Sequence, residues 1–441
     1  MRSLSRLTLE AMIALVSETF APIPDPRRPD RVDYSLHDTL MSGFAMMFFQ
    51  YPNLLEFQRK MQQRRHQCNL EPIFGVREVP SDTQMRDMLD GVPVELIRPL
   101  LPTLFEKIRR AGWAKEFTTT LSSGADQGTY YTLMLDGSDY FHSTCLQCPR
   151  CLQRRDSSGA VHFRHTVVSG TLVKAGSHRV LPLDVEEVRN EDGQDKQDGE
   201  IKAAKRLMPR LREEHPQLSL IVGGDDLYCH EPFILQLREH RMHYVLVCKP
   251  GSHAEVYREG EAQEALGALE RGKWHEGPAC RRRFSTYRVA RGVALTESGR
   301  VRGTFLEVWS HTRSGQQLYH NAWFTDLEVT ADNVAEIVGI GRSRWKIENE
   351  QFNVQKNHGY ELTHNYGHGR QTLSMVFYML NLLAFIAHMI LDRGDRLYQR
   401  CLATTSRQEL WHTLRAGMRM LLVSSWSQLL LIYLDEDAQG P

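Results

Sequence analysis

The stretch LSLIVGGDDLYCHEPFILQLREHRMHYVLVCK, from Leu218 to Lys249, decides the fold class. It begins with a short apolar run that ends in two aspartates, which is typical of a buried strand. A segment with apolar residues at helical spacing follows, and a second apolar run closes the stretch. Strand, helix and strand in succession predict an α/β fold, in which a sheet carries helices on its faces.

The same alternation extends toward the N-terminus. YYTLMLDGS, which begins at Tyr130, predicts a buried strand that ends at Asp136, and VHFRHTVVSGTLV and RVLPLDVEEV predict two more strands. The polar stretch 189–200 predicts a loop. IKAAKRLMPRLREE, which begins at Ile201, has the apolar spacing of an amphipathic helix.

The flanking sequence divides the chain into five predicted regions. The N-terminal region is predicted to be helical, with Ser81 and Gln84 at capping-box spacing, and its basic run QRKMQQRRH indicates a contact with DNA. Runs such as GTFLEVWSHT and QLYHNAWFTD predict antiparallel strands joined by Gly and Ser turns. The regions are a helical N-terminal domain (1–120), the first part of the α/β domain (121–250), a β-rich insertion (251–330), a helical segment that completes the α/β domain (331–370) and a helical C-terminal region (371–441).

The composition limits the class of protein. Lys and Arg together number 54, and so do Asp and Glu, so the chain is not coated with basic charge, although local patches can still bind phosphates. Eight cysteines without an apparent export signal indicate reduced thiols and a cytoplasmic location. The longest apolar run begins at Met375, contains Asn381 and His388, and is too short for a membrane span. It predicts a buried core helix and no membrane association.

Two aspartates occupy the same kind of place in the predicted sheet. Asp136 and Asp225 each end a buried strand, and sites in α/β sheets collect at the carboxyl ends of strands. Two facing carboxylates repel each other unless a cation lies between them, and Mg²⁺ prefers such oxygen ligands. Asp139 and Asp226 are nearby alternatives for the same roles, and an Asp-Gly pair after a strand also fits a simple turn.

A third carboxylate stands in RSRWKIENEQFNVQK, which begins at Arg342 and reads as a helix. Glu348 is surrounded there by basic residues, among them Arg344 and Lys346. A salt-bridged surface helix explains this pattern. Alternatively, Glu348 binds a metal while its basic neighbours bind a polyanion, and the two strand-end aspartates favour this second interpretation because three carboxylates suffice for a two-metal phosphoryl-transfer site. Glu350 points elsewhere on such a helix.

LDGSDYF, GGDDLY and GRSRWKIENEQFNVQK together resemble the bacterial insertion-sequence DDE transposases of the cut-and-paste type. These enzymes have a ribonuclease-H-like catalytic domain with a β-strand insertion between the second aspartate and the glutamate. Their third motif runs tyrosine, two residues, arginine, three residues, glutamate, six residues, lysine. Arg344 and Glu348 match this spacing. The resemblance covers roughly 130–369, and the helical N-terminal region more loosely.

The resemblance implies a specific activity and site. Asp136, Asp225 and Glu348 would be the catalytic triad and bind Mg²⁺, with Mn²⁺ as a substitute. The enzyme would cleave double-stranded DNA at transposon ends and transfer the freed 3′-OH into target DNA, acting as a homodimer on the terminal inverted repeats. The basic residues expected to contact DNA phosphates are Arg344, Lys356 and Arg342.

Two positions depart from the family pattern. Gly341 stands where the tyrosine is expected, so no phenol is available there. Gln355 stands at the lysine position, with Lys356 one residue later. On a continuous α-helix Gln355 lies on nearly the same face as Glu348, whereas Lys356 is rotated by about 80°.

CLQCPRC carries three cysteines at two-residue spacing, which suits a tetrahedral zinc site in which a nearby histidine supplies the fourth ligand. The alternative is three ordinary thiols in a loop, and an iron–sulfur cluster fits less well because a fourth cysteine is missing. A zinc ion here would be structural, because thiolates suit zinc and not magnesium. The candidate ligands are Cys145, Cys148 and Cys151, with His142, His162 and His165 as possible fourth ligands.

The roles of three tryptophans and two histidines each have two interpretations, and the function has two alternatives. Trp274, Trp309 and Trp323 lie in the predicted insertion, where core packing is favoured over stacking on a flipped base. His364 and His368 are expected to cap or link helices rather than approach the catalytic face. A metal-dependent nuclease of the same fold that cuts without joining, and an inactive DNA-binding derivative, are the alternatives to a transposase.

Overall fold

The computed structural model describes residues 7–27, 34–61, 69–192, 196–278, 282–364 and 366–435. The chain forms two compact units, each assembled from separated segments. Arg64 and Arg65, which belong to the basic run of the N-terminal region, lie outside the described residues. The first unit comprises Met1–Ala114, Asp139–Thr166 and Phe352–Pro441, and the second comprises Lys115–Ser138 and Val167–Gln351.

Strands and helices alternate through the middle of the chain, and helices predominate at both ends. The strands among the described residues are β1 (Thr118–Leu121), β2 (Gly128–Ser143), β3 (Leu152–Arg155), β4 (Val161–Val173), β5 (Leu181–Glu187), β6 (Leu220–Gly224), β7 (His243–Val247), β8 (Glu270–Glu276), β9 (Arg283–Ala294), β10 (Arg302–His311) and β11 (Gln317–Thr325). The α-helices there are α1 (Leu9–Phe20), α2 (Leu36–Phe48), α3 (Leu54–Met61), α4 (Glu71–Phe74), α5 (Asp82–Leu89), α6 (Leu100–Arg110), α7 (Lys196–Glu214), α8 (Glu231–Glu239), α9 (Ala254–Ala265), α10 (Val334–Arg342), α11 (Asn353–Asn357), α12 (Leu373–Gly394), α13 (Arg396–Thr404), α14 (Arg407–Met420) and α15 (Trp426–Tyr433).

The second unit is built on a mixed sheet, as the strand–helix alternation predicted. Its strands lie in the order β5-β4-β2-β6-β7, and β2, β6 and β7 run parallel to one another. The strands predicted as an antiparallel insertion continue this sheet in the order β11-β10-β9-β8, because β11 pairs antiparallel with β7. The prediction of antiparallel pairing is therefore confirmed, but these strands extend the central sheet rather than forming a sheet of their own.

Helices flank the sheet of the second unit. α7 packs on β5, α8 on β7 and α9 on β9, while α10 contacts β1, β6 and β7. The predicted loop at 189–200 is wrong at its C-terminal end, since α7 already begins at Lys196. Glu200 is therefore a helical residue.

The first unit is mainly helical and contains the apolar run as helix α12. This is the one helix of the described residues that is long and apolar enough to cross a membrane, yet 89% of its most apolar window is buried inside the protein. Its polar residues have partners: Asn381 donates to the carbonyl of Tyr360, and His388 Nε2 lies 2.9 Å from the carbonyl oxygen of Phe48. The predicted core helix is confirmed, and so is the capping box at the start of α5.

Candidate active site

Asp136 and Asp225 occupy equivalent positions along two neighbouring parallel strands, Asp136 within β2 and Asp225 directly after the end of β6. In the register of β2 and β6, Met134 pairs with Gly223, so each aspartate lies two residues beyond this pair. Asp136 was predicted to end its strand. That boundary is wrong, because β2 continues to Ser143 and Asp136 lies inside the strand. Both side chains are half-buried.

The Asp-Gly pair at Asp136 is not a turn. A Cβ atom on Gly137 would come within 3.0 Å of the carboxylate of Glu200, which projects from α7 and is only 7% exposed. The glycine therefore lets a fourth carboxylate approach the backbone beside Asp136. Sequence reasoning missed Glu200 because it was assigned to a loop.

Gly137→Ala is expected to lower the free energy of unfolding by about 1 kcal/mol, the low end of the usual cost of overpacking, because the new methyl meets the end of the flexible Glu200 side chain. Adding Glu200→Ala removes the group that the new methyl meets, so the double variant should recover most of this loss. Denaturant unfolding of the two single variants and the double variant measures the coupling. A Gly137→Ala protein as stable as the wild type would show that the Glu200 carboxylate moves aside at little cost.

Asp225 is better placed for a site than its neighbour Asp226. Asp225 caps the short 3-10 turn that follows β6, with Oδ1 accepting from the backbone N–H of Leu227 at 3.0 Å. Asp226 instead holds the next loop: it accepts from the N–H of Lys249 at 2.7 Å and lies 3.2 Å from Nε2 of His253. Asp139, which the sequence offered as an alternative to Asp136, belongs to the first unit and interacts there with Thr166 and Arg164.

Glu348 meets Asp136 through Arg344. One guanidinium nitrogen of Arg344 lies 3.8 Å from Oδ2 of Asp136, and another lies 4.0 Å from Oε2 of Glu348. The Glu348 side chain is 63% exposed, so it remains accessible to solvent. Arg344 thus lies between a carboxylate on a strand and a carboxylate on a helix. In a salt-bridged surface helix, by contrast, its partners would all lie on the same helix.

The electrostatics of the site are set first by burial and then by the neighbouring charges. Burial raises the pKa of Asp136 to about 6; Arg344 opposes this rise, and Asp225 and Glu348 add to it. Burial also raises the pKa of Asp225, against a backbone hydrogen bond and Arg344 that lower it. The shift at Asp136 shows that Asp225 and Glu348 each lie within electrostatic reach of Asp136.

A buried phenol adjoins the carboxylates. Tyr228 is fully buried, and its hydroxyl has no hydrogen-bond partner within the described part of the chain. Burial raises the pKa of Tyr228 well above its usual value, and Glu200, Asp136 and Asp225 raise it further. Burial and the neighbouring carboxylates therefore both keep the phenol of Tyr228 neutral.

The sequence predicted a continuous helix for the segment that carries Glu348, but the structure interrupts it. α10 ends at Arg342, a turn follows, and residues Ile347–Phe352 form a π-helix. A π-helix has more residues per turn than an α-helix, so the 80° rotation expected for Lys356 does not apply. π-Helical turns are frequent at functional sites.

The two positions that follow this π-helix have different environments. Gln355 is fully buried, and its amide donates to Oδ1 of Asn381 at 3.2 Å. A lysine at this position would bury its ammonium group in the core of the first unit. Lys356 is half-buried on α11 and belongs to the first unit as well, so its phosphate contact stays a prediction.

The missing tyrosine at Gly341 has a steric cause. A Cβ atom there would come within 3.0 Å of the indole of Trp323, which is fully buried. Core packing, the favoured role for Trp323, is thereby confirmed. A phenol reaches this region from β11 instead: Tyr319 lies against Arg342, and the charges of Arg342 and Arg344 oppose the rise in its pKa that burial causes. Sequence reasoning missed Tyr319 because it precedes the motif on another element.

Gly341→Ala and Gly339→Ala should have opposite effects although they lie on the same helix. Gly341→Ala drives a methyl into Trp323 and is expected to lower the free energy of unfolding by about 1–3 kcal/mol. A Cβ on Gly339 meets only Ala175 at 3.4 Å, so Gly339→Ala should raise it by up to about 1 kcal/mol through helix propensity. Urea unfolding of both variants measures the two changes in the free energy of unfolding. Equal changes would contradict the steric explanation.

The other basic and acidic residues of the motif are held within the protein. Arg342 lies over the Tyr319 ring at 4.7 Å and 3.3 Å from Glu276, so its predicted phosphate contact would require it to leave these partners. Lys346 is buried and donates to the carbonyl of Ser177. Glu350 pairs with His178 at 3.2 Å.

The remaining tryptophans of the insertion, Trp274 and Trp309, are half-buried.

The predicted cysteine site is assembled differently from the expected set. In the first unit, Cys148 and Cys151 lie together with His165 and His368. Cys145, which was predicted as a ligand, is not part of this group: its thiol is exposed and lies 3.6 Å from the hydroxyl of Ser143. His142 and His162 form a separate exposed pair. His368 joins the cluster, although it was expected only to cap or link helices.

A scan against protein-family models finds no match for this chain, and no curated protein matches it either. The resemblance to transposases therefore depends on the sequence motifs alone.

Proposed function

We propose that the chain is a DNA transposase whose second unit is a ribonuclease-H-like catalytic domain. The observation that carries the proposal is that Arg344 lies within 4.0 Å of both Asp136 and Glu348, while Asp225 is within electrostatic reach of Asp136 and Arg344. The strand order β5-β4-β2-β6-β7, with β2, β6 and β7 parallel, agrees with that fold, and so does the position of Asp225 directly after β6, level with Asp136 on β2. The double-stranded DNA substrate, the homodimer on transposon ends and the cytoplasmic location come with the resemblance and are part of the proposal.

The donor set fits Mg²⁺. Asp136, Asp225 and Glu348 offer only carboxylate oxygens, the ligands that hard dications prefer. The guanidinium of Arg344 lies between the carboxylates of Asp136 and Glu348, which supports a positive charge at this position. Bound Mg²⁺, or Mn²⁺ in its place, would activate the attacking hydroxyl and stabilise the leaving oxygen.

The protein's own groups have separate roles in this proposal. Asp136, within β2, and Asp225, directly after β6, would hold the cations, and Glu348 would complete the site from the helical side. Arg344 would turn from the carboxylates to a DNA phosphate once cations replace it, since its fork suits phosphate oxygens. Trp345, 42% exposed beside Arg344, offers an aromatic surface for the bound strand.

The testing experiment combines purified protein, Mg²⁺ and a DNA fragment that carries the inverted repeats flanking its own gene. End cleavage and joining into a plasmid by the wild type, but not by Glu348→Gln, is expected. Cleavage without joining would favour a nuclease of the same fold. DNA binding without either reaction would favour an inactive derivative and overturn the enzymatic proposal.

A further inference from the structure

Two cysteines and two histidines of the first unit converge on one point. Nε2 of His165 lies 3.5 Å from Sγ of Cys148 and 3.5 Å from Sγ of Cys151. Nε2 of His368 lies 3.1 Å from Sγ of Cys151 and 3.1 Å from Nε2 of His165. The two sulfur atoms are 3.8 Å apart.

These separations are close to the edges of a tetrahedron around zinc. With bonds of about 2.3 Å to sulfur and about 2.0 Å to nitrogen, the edges are about 3.8 Å between sulfurs, about 3.5 Å from sulfur to nitrogen and about 3.3 Å between nitrogens. The sulfur–sulfur distance and both distances to His165 match, and the two distances to His368 are slightly shorter. We propose that Cys148, Cys151, His165 and His368 bind one structural Zn²⁺ ion.

The local structure orients the cysteine pair as a ligand loop. The chain turns between the two cysteines, with the N–H of Cys151 donating to the carbonyl of Cys148 at 3.1 Å. The N–H of Cys148 in turn donates to Sγ of Cys151 at 3.4 Å. Such a hydrogen bond stabilises a thiolate and fixes its direction.

The imidazole rings are fixed by aromatic neighbours. The His368 ring stacks on Phe141 with 4.3 Å between centroids and 13° between planes, and the His165 ring stacks on Tyr140 at 5.8 Å. Both rings therefore present Nε2 to the sulfur atoms. Ring positions held by packing reduce the ordering that metal binding would otherwise require.

The donor chemistry selects zinc over the alternatives. Two thiols with two imidazoles are the ligand set of structural zinc sites and do not suit Mg²⁺. A disulfide needs sulfur atoms about 2.05 Å apart, far closer than Cys148 and Cys151. The burial of Cys151 and His165 favours a closed, structural site.

The ion would join distant parts of the chain. Cys148 and Cys151 precede β3, whereas His368 follows α11, 217 residues beyond Cys151. A bond across so long a loop restricts the unfolded chain strongly. This inference concerns the first unit alone and does not depend on the proposed catalysis.

Zinc content tests the inference, with Cys145→Ser as the matched control. Protein purified without a metal-binding tag is saturated with Zn²⁺, dialysed and analysed for metal. The wild type and Cys145→Ser should retain about one Zn²⁺ per chain, whereas Cys148→Ser and His368→Ala should lose it. Zn²⁺ should also protect Cys148 and Cys151 of the wild type from alkylation and leave Cys145 reactive.

The alkylation experiment uses only the wild type, so it decides even if a variant fails to fold. Co²⁺ in place of Zn²⁺ should give thiolate-to-cobalt absorption in the wild type. A wild type that retains no Zn²⁺ and gives no such absorption would overturn the inference. Zinc retained by Cys148→Ser would also overturn it, and would direct attention to the buried group Cys229, Cys248 and His253.

Discussion

Replacing Asp136 or Asp225 by asparagine, or Glu348 by glutamine, is expected to reduce strand transfer by about 10³-fold or more while DNA binding persists. Each amide keeps the shape of the side chain but removes the charge that neutralises a bound cation, and such electrostatic groups carry large shares of catalysis. The three losses should not add, because the residues act as one unit. Strand transfer on labelled transposon ends measures the rates, and gel shift measures binding.

Glu350→Gln is the matched control for this series. Glu350 lies two residues beyond Glu348 in the same π-helix, but its carboxylate pairs with His178. Its variant should transfer strands at close to the wild-type rate. Wild-type activity in Asp225→Asn would remove Asp225 from the site, and full loss in Glu350→Gln would mean that the helix, rather than the Glu348 carboxylate, is what the reaction needs.

Asp136→Asn should stabilise the cation-free protein even though it abolishes activity. Burial raises the pKa of Asp136 from 3.8 to about 6, so the folded state holds this proton more tightly than the unfolded chain. The free energy of unfolding therefore falls as the pH rises through this interval, and the ionised carboxylate costs up to about 3 kcal/mol at pH 7. The variant removes this cost.

Denaturant unfolding with a chelator present measures this effect at pH 7 and again below pH 5. The gain should be largest at pH 7 and shrink at the lower pH, where Asp136 of the wild type is itself protonated. Mg²⁺ should stabilise the wild type and leave Asp136→Asn unchanged. Glu348→Gln, whose carboxylate is mostly exposed, should change stability little without the cation. A destabilised Asp136→Asn protein would show that the attraction between Arg344 and the charged Asp136 stabilises the fold by more than the burial of that charge destabilises it.

The sequence by itself determined the mixed α/β fold of the middle region. The apolar runs at β4, β6 and β7 and the amphipathic pattern of α7 lie where predicted, because strand and helix periodicities are local properties. The order Asp136, Asp225, Glu348 also came from the sequence. Their common location depends on the parallel pairing of β2 with β6, which no local pattern contains.

Only the tertiary structure decided the details that involve distant residues. Glu200 reaches Gly137 because α7 begins earlier than its polar composition suggests, and Gly341 is a glycine because Trp323 fills its place. The cysteine cluster takes its fourth member from His368, although Cys145 is far closer in sequence. Sequence spacing specifies what a short segment can do, whereas side chains separated by two hundred residues become neighbours only through packing of the folded chain.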